Sequence, residues 1–431
     1  MLDIAFIRDN PDRVKEASKA KNKTVDIDML LSLDEQRRDL LAQIESLRKR
    51  RNEISQSLKT PKPDQSAIDE GKKIKQELSQ LETDFTKLDS DYQELLESVP
   101  NVFSEDTPIG EDEEDNQVLR QWGDPTEFDF TPKDHVELGK ELDLIDVERA
   151  AKISGARFNF LKGDLALLQY ALVQLVFSIV TDEAVIKKLV EDNDLDISTK
   201  PFIPVIPPVL VRPETMHRMA RLEPKEDRFL TVDEEYALVG SAEHSLGAMY
   251  MDEIVPQDEL PLRYIGYSAA FRREAGSYGK DTRGILRQHQ FDKLEMETFS
   301  TEETGLDEHL LMIALQEHIM QQLELPYQVV AICSGDMGAP DFRQVDIEAW
   351  MPGQSAYRET HTADYMGDYQ ARRLKTRYKT QEGARFVSMN DATALAIGRA
   401  LIAIMENYQT QEGSIVIPEV LRPYLNKEEI T

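Results

Sequence analysis

The sequence predicts an α+β protein: a long helical hairpin followed by an antiparallel sheet with helices packed to one side. Three observations predict it. Apolar residues recur in steps of three and four over positions 30–58 and again over 67–95, with Pro61 and Pro63 between the two runs. From about residue 204 to 351, short β-capable runs follow one another without the strict strand–helix alternation of a parallel βαβ layout. A basic stretch over 271–296, with glycines in its middle and apolar residues at both ends, has the pattern of two antiparallel strands joined by a long loop.

Taken in order, residues 1–25 read as a short helix and a turn. Leu30, Leu33, Arg37, Leu40, Ile44, Leu47, Arg51, Ile54 and Leu58 then form one heptad seam, and Ala67, Gly71, Ile74, Leu78, Leu81, Phe85, Leu88, Tyr92 and Leu95 form a second. Each stripe is too narrow to stabilise a lone helix, so the two zip together as an antiparallel coiled coil, roughly 45 to 50 Å long at about 1.5 Å per residue. Val99-Pro100-Asn101 ends the second helix. The acidic stretch that follows contains Pro108 and Gly110 and reads as a linker. The expected domains are 1–103 (the hairpin), 104–131 (the linker) and 132–431.

In the last of these, Pro132 to His135 opens a helix. Leu165 to Val180 is the most apolar stretch, short for a membrane span and interrupted by Gln169 and Gln174. It is expected to be a buried helix capped by Asp164. The run from Pro204 to Val211 is an apolar strand whose prolines place it at a sheet edge or a subunit boundary. Tyr236–Gly240, Tyr327–Cys333 and Gln344–Met351 are further strands, and 308–323 is a helix.

Charge narrows the function. The 431 residues carry a net charge of −30. Such a chain repels nucleic acid at long range, so any contact with it must be made by local basic patches. Residues 1–60 hold 13 Lys or Arg against 11 Asp or Glu, leaving −32 on the remainder. Basic residues cluster in the distal half of the hairpin, at Arg48-Lys49-Arg50-Arg51 and Lys72-Lys73-Ile74-Lys75. They are either a solvated face or an arm for a nucleic-acid backbone. Arg272, Arg273, Lys280, Arg283, Arg287 and Lys293 crowd the 271–296 hairpin, which points to a bound polyanion such as a nucleoside triphosphate. There is no P-loop and no Rossmann fingerprint. The single cysteine, Cys333, excludes an internal disulfide and a multi-cysteine zinc site. Met1 to Phe6 has no basic segment leading into a long apolar run, so no secretory signal and no membrane is expected, and the location expected is cytoplasmic.

The motifs carry a resemblance to a known family. Phe-Arg-x-Glu-Ala-Gly from Phe271, Gly-x-Asp-Thr-Arg-Gly from Gly279 and Arg-x-His-Gln-Phe-x-Lys-x-Glu from Arg287 resemble motif 2 of class II aminoacyl-tRNA synthetases in its seryl form. Asn390 to Arg399 resembles motif 3, and Pro207-Pro208 falls where motif 1 is expected. With the heptad hairpin, the chain resembles bacterial-type seryl-tRNA synthetases over nearly its full length. The resemblance implies a six- or seven-stranded antiparallel sheet flanked by helices, a homodimer, and a two-step reaction. L-serine and ATP form seryl-adenylate, and the seryl group passes to tRNA(Ser), with tRNA(Sec) as a further candidate acceptor.

It also implies roles. Arg272 would hold the serine carboxylate and the α-phosphate, and Arg399 the γ-phosphate side. Glu274 would meet the adenine region, Phe291 would stack on the ring, and Arg273 and Arg287 would add phosphate contacts. Glu359, Thr360, His361 and Thr362 would complete the ATP site, with Glu359 and Thr362 as oxygen ligands for Mg²⁺. Ser241, Ala242, Glu243, Glu295, Asp391 and Thr393, with Arg272, would receive serine. Arg48, Lys49, Arg50, Arg51, Lys72, Lys73, Lys75, Lys280 and Arg283 would meet tRNA. The chain departs from the family in four places: Ser241 stands where Thr is frequent, Thr362 where Ser is frequent, and Asp391 where Asn is usual. Met216 to Thr231 lacks a Gly-rich segment. Two other outcomes fit parts of the pattern. One is a paralogue that activates an amino acid for a carrier; the other is a silent dimer that only binds RNA.

Overall fold

The computed structural model describes residues 1–59, 64–275 and 283–431. These form two compact units, Met1–Val102 and Phe103–Thr431.

The first unit begins with two short helices, Ile4–Asp9 and Pro11–Ala20, where one was expected. Helices α1 (Ile27–Ser57) and α2 (Gln65–Ser98) follow. Asp26 caps α1 by accepting from the Met29 amide at 2.9 Å, and Asp64 caps α2 through the Ser66 amide at 3.1 Å. Their 31 and 34 residues correspond to about 46 and 51 Å. Ile44, Ile54, Ile74 and Leu78 are buried between them, with Leu47, Leu58, Leu81 and Phe85 packed alongside. Arg37, at a seam position, is accommodated by a cation–π contact with Tyr92 at 5.1 Å and an ion pair with Asp89. Arg51, also on the seam, is exposed, as a snorkelling side chain would be.

The second unit is built on an eight-stranded sheet. Its strands are β1 (Gln117–Trp122), β2 (Ile203–Val205), β3 (Leu262–Phe271), β4 (Gln290–Ser300), β5 (Tyr327–Ala331), β6 (Arg343–Met351), β7 (Ala356–Gly367) and β8 (Ser388–Ala396). They lie in the order β1-β5-β6-β7-β8-β4-β3-β2. The six pairings from β1 through β3 in this order are antiparallel, and the three-residue β2 joins β3 in parallel at one edge. Pro204 sits in that edge strand, where a missing N–H costs no ladder bond. The run to Val211 is not one strand: it breaks after Val205 and resumes as the two-residue Leu210–Val211.

β1 is a correction. The stretch 104–131 was expected to be a linker, yet β1 pairs with β5 at the opposite edge. All six of its residues are exposed, so it shows none of the apolar alternation by which a strand is recognised.

Helices α3 (Gly163–Val180), α4 (Gly305–Gln322) and α5 (Ile397–Asn407) supply much of the core against the sheet, through Leu168, Leu172, Leu311, Leu315, Leu401 and Ile404. By length and composition α3 could cross a membrane, but half its residues are buried in the fold. Asp164 does not cap α3. It lies in the first turn, paired with Lys427 at 2.7 Å, and Lys162 holds the cap position. Asp134, by contrast, caps the expected helix His135–Glu141, accepting from Val136 and Glu137 at 3.0 and 2.9 Å.

A buried ion pair fastens β3 to α4. The Arg263 guanidinium meets the Glu308 carboxylate twice, at 2.8 Å each, and also donates to the Ser198 carbonyl at 2.8 Å. Both side chains are almost wholly buried. Replacing Arg263 with Leu strands the Glu308 carboxylate in the core. The expected cost is about 3 kcal/mol, read as a lower midpoint in urea unfolding.

An arginine-lined cleft beside a buried acidic pocket

Strands β3 and β4 are paired from Leu262↔Phe299 to Phe271↔Gln290 and bring the first and last parts of the basic hairpin together. Arg272, Glu274, Arg287, Phe291 and Lys293 line the cleft, and Glu359, Thr360, Thr362, Thr393 and Arg399 close it from β7, β8 and α5. Arg273 is exposed and does not line it.

The cleft's cations are held in place. Arg272 donates from Nε to the Gly240 carbonyl at 3.1 Å, and its guanidinium lies 5.4 Å from the centre of the Phe291 ring. Arg287 Nη1 bonds Glu274 Oε2 at 3.1 Å. Glu274 adopts φ +52°, a left-handed conformation that costs a non-glycine residue about 1 kcal/mol. The next residue anchors it: the Ala275 amide donates to Asp227 Oδ1 at 2.7 Å. Arg399, in the first turn of α5, donates from Nη1 to the Glu359 carbonyl at 2.8 Å and meets Glu359 Oε1 at 3.0 Å. Gly284, on the return side, has φ +70°, and a Cβ there would sit 2.0 Å from His135 Nε2, so only glycine fits.

Two β-bulges aim the acceptor groups. Opposite β6, Thr362 faces Asp346 and Glu359 faces Glu348, with one residue of β7 left over between them. The extra residue turns Glu359 and Thr362 toward one cleft although they lie three apart in the chain. His361, between Thr360 and Thr362, faces away from the cleft by ordinary strand alternation. Its ring is wholly buried, Nδ1 lies 2.8 Å from the Thr360 hydroxyl, and burial drops its pKa to about 3. A second bulge follows Thr393 in β8. Gln316 of α4 reaches both irregular places, donating to the Thr362 and Thr393 carbonyls at 2.7 and 2.9 Å. Its role could not be read from an apolar helix.

Beside the cleft lies the acidic pocket. Ser241 donates to Glu295 Oε2 at 2.7 Å, and Lys293 Nζ lies 2.6 Å from the same oxygen. Carboxylate oxygens of Glu243, Glu295 and Asp391 all lie within 4.8 Å of one another. Ala242 supplies packing instead of a polar group, buried in a cluster with Leu246 and Phe299. Glu297, Asp341 and Asp364 add three more buried carboxyls. Burial pushes Glu297 well above the usual carboxylate range, reinforced by Asp391, Glu243 and Glu295. Asp391 is pushed well up by burial too, then by Glu243 and Asp364. Glu243 goes the other way. Burial would raise it, but Arg221 and, more weakly, His244, Lys293 and Arg272 bring it down to about 2. Arg221 and Glu297 were given no role from the sequence, and Lys293 was read only as one of the hairpin's polyanion-facing cations. Arg221 comes from the stretch that lacks the Gly-rich segment, and nothing local marks it.

Comparison with known proteins follows the same division of the chain. Residues 1–103 match the family described as "Seryl-tRNA synthetase N-terminal domain", and residues 228–408 match "tRNA synthetase class II core domain (G, H, P, S and T)". The serine–tRNA ligase of Thermodesulfovibrio yellowstonii is 40% identical, over 99% of this chain and 99% of its own length. The chain belongs to the seryl-tRNA synthetases. Among solved seryl-tRNA synthetases, that of Pyrococcus horikoshii complexed with ATP superposes with a TM-score of 0.89 at 35% identity, covering 100% of this chain and 99% of its own. The M. kandleri seryl-tRNA synthetase solved with A. aeolicus tRNASec shares the fold, with a TM-score of 0.58 at 16% identity, over 84% of this chain and 70% of its own. The seryl-tRNA synthetase fold expected from the motifs is therefore the fold observed, with the three-residue β2 and the edge strand β1 in the same sheet.

The hairpin's expected tRNA contacts divide. Arg48 Nη2 pairs across the hairpin with Glu82 at 2.8 Å, and Arg50 Nε with Glu70 at 2.8 Å. Lys72 lies 3.7 Å from Asp69. Lys49, Arg51, Lys73 and Lys75 are exposed and make no ion pair among the described residues. Arg283 is exposed, and Lys280 lies outside the described residues.

Proposed function

We infer that the chain is an ATP-dependent serine–tRNA ligase: it activates L-serine to seryl-adenylate and passes the seryl group to tRNA(Ser), with tRNA(Sec) as a further acceptor. The observation that carries this reading is the adjacency of an arginine-lined cleft to a buried carboxylate pocket, within a chain of this family. A carboxylate attacking an α-phosphorus needs its charge neutralised and its approach fixed; no protein nucleophile is required. Arg272, held by the Gly240 carbonyl and against Phe291, would bridge both reacting anions. Arg399 and Arg287 take the outer phosphates. Phe291 offers a face to the adenine, and Glu274, fixed by Arg287, orders the base.

For serine, the converging carboxylates of Glu243, Glu295 and Asp391 suit an ammonium group. Ser241, Glu295 and Thr393 supply partners for the hydroxyl. A pocket built to pair a hydroxyl rejects analogues lacking one, because its own buried groups would go unpaired.

The residues also fit Mg²⁺. Glu359 and Thr362 offer hard oxygen donors to one cleft, and the buried Asp346 Oδ1, on the strand facing Thr362, has no hydrogen-bond partner. When bound there, the ion would neutralise phosphate charge. We further propose a homodimer, consistent with the exposed apolar Leu167 and Tyr170 on α3 and Ile203, Ile206 and Leu210 after it, with Ile206 94% exposed. The enzyme is read as soluble and cytoplasmic.

The test is charging of a tRNA(Ser) transcript with radiolabelled serine. Charging with serine is expected; a chain that forms seryl-adenylate but transfers it to no tRNA contradicts the second half of the reaction. Lys49, Arg51, Lys73 and Lys75 are proposed to touch the tRNA backbone. Changing all four to Ala is expected to weaken tRNA binding and lower the slope of log K against log salt by about 4. The rate of adenylate formation should stay unchanged.

A further inference from the structure

Three carboxyls stand directly opposite one another on adjacent strands: Asp364 on β7 faces Asp391 on β8, which faces Glu297 on β4. Like charges in register repel. Burial removes the water that would screen them, and Glu243 and Asp341 lie alongside. One cation meets four of these five acids. Arg221 Nε is 2.5 Å from Glu243 Oε1, and Nη2 lies 3.4 Å from Asp391, 3.6 Å from Asp341 and 3.7 Å from Asp364. Its side chain is only 16% exposed. Its own carbonyl accepts from Arg228 Nε at 2.8 Å, which fixes the backbone that carries it.

Two of the acids it touches, Glu243 and Asp391, belong to the trio whose oxygens converge within 4.8 Å. Glu295, the third, has its own cation in Lys293. The trio is therefore not a loose acidic patch. Each member is tied from outside by a fixed cation, and Glu295 Oε1 and Asp391 Oδ1 have no hydrogen-bond partner.

We propose that Arg221 is a positioning residue of the amino-acid pocket: by gripping Glu243 and Asp391 together, it places the negative charge that the amino group of the bound amino acid meets. It forms a matched pair with Asp391, the acid that stands where the family usually has Asn. A planar fork suits the task, because it can hold carboxylates on two edges at once where an ammonium cannot. The proposal rests on reading this pocket as the amino-acid site.

The test measures pyrophosphate exchange as a function of serine and of ATP. Arg221→Gln is expected to raise KM for serine about 10- to 100-fold, as losing a group that orients direct ligands does, with KM for ATP changed less than threefold. Arg221→Lys keeps the charge but not the fork and is expected to fall between Gln and wild type. Asp391→Asn in the Arg221→Gln background is expected to recover part of the loss, because it removes an acid left without its cation. A folded Arg221→Gln protein with an unchanged KM for serine, or with both KM values raised alike, overturns the proposal. If the Gln variant does not fold, an unchanged KM for serine in Arg221→Lys overturns it equally. Absence of serine-dependent exchange in the wild type would instead remove the amino-acid reading itself.

Discussion

Arg272→Ala is expected to lower serine-dependent pyrophosphate exchange about 10³-fold while leaving the protein folded. The magnitude is that of removing a preorganised donor from a forming anion, and Arg272 is proposed to serve two anions at once. Its side chain meets the Gly240 carbonyl and the face of Phe291, neither of which is stranded in the core by its loss. Circular dichroism and thermal melting should therefore match wild type within a few degrees. The loss should fall on the rate, because the interaction is strongest when charge is shared between carboxylate and phosphate. Arg272→Lys should recover little, since a point charge cannot bridge two oxyanions in plane. A variant that keeps more than a tenth of the wild-type rate would show that charge neutralisation lies elsewhere, with Lys293 and Arg399 the next groups to remove.

Removing the hairpin is expected to separate the two halves of the reaction. Replacing residues 28–98 with a short flexible linker should leave pyrophosphate exchange within a fewfold of wild type, because every cleft residue lies in the unit Phe103–Thr431. Aminoacylation should fall at least about 10²-fold, the affinity carried by several phosphate contacts. Equal loss of both would mean that the first unit is needed for the catalytic fold. Equal survival would mean that the hairpin is not a tRNA device.

Legibility in the sequence followed the range of the interactions. The hairpin was legible because its pattern is local: Ile44, Ile54, Ile74 and Leu78 repeat at helical spacing and are buried together. The catalytic sheet was legible where strands are apolar or carry a motif, as in the basic hairpin of β3 and β4. It was not legible at β1, whose residues are all exposed and whose acidic flank has the composition of a linker.

The site divides in the same way. Arg272, Glu274, Phe291 and Arg399 stand inside motifs and line one cleft. Arg273 and His361 stand inside motifs too, but Arg273 is exposed beyond the end of β3, and His361 alternates away between Thr360 and Thr362, so neither lines it. Arg221 was missed because its meaning is wholly tertiary. Glu243, Asp341, Asp364 and Asp391 reach it from separate parts of the chain, and no spacing records that convergence. The departure at Asp391 was visible in the sequence, and the cation that answers it was not. In the basic arm, Arg48 and Arg50 meet acids across the hairpin, pairings that a charge run alone does not record.

The most direct test of the central claim, that the acidic pocket and arginine cleft together activate serine, is pyrophosphate exchange into ATP measured with each amino acid in turn. Exchange is expected with serine, weaker exchange with threonine, whose added methyl group must fit beside Thr393 and Glu295, and none with alanine, which leaves the pocket's polar groups unpaired. Exchange with another amino acid and not with serine would contradict it.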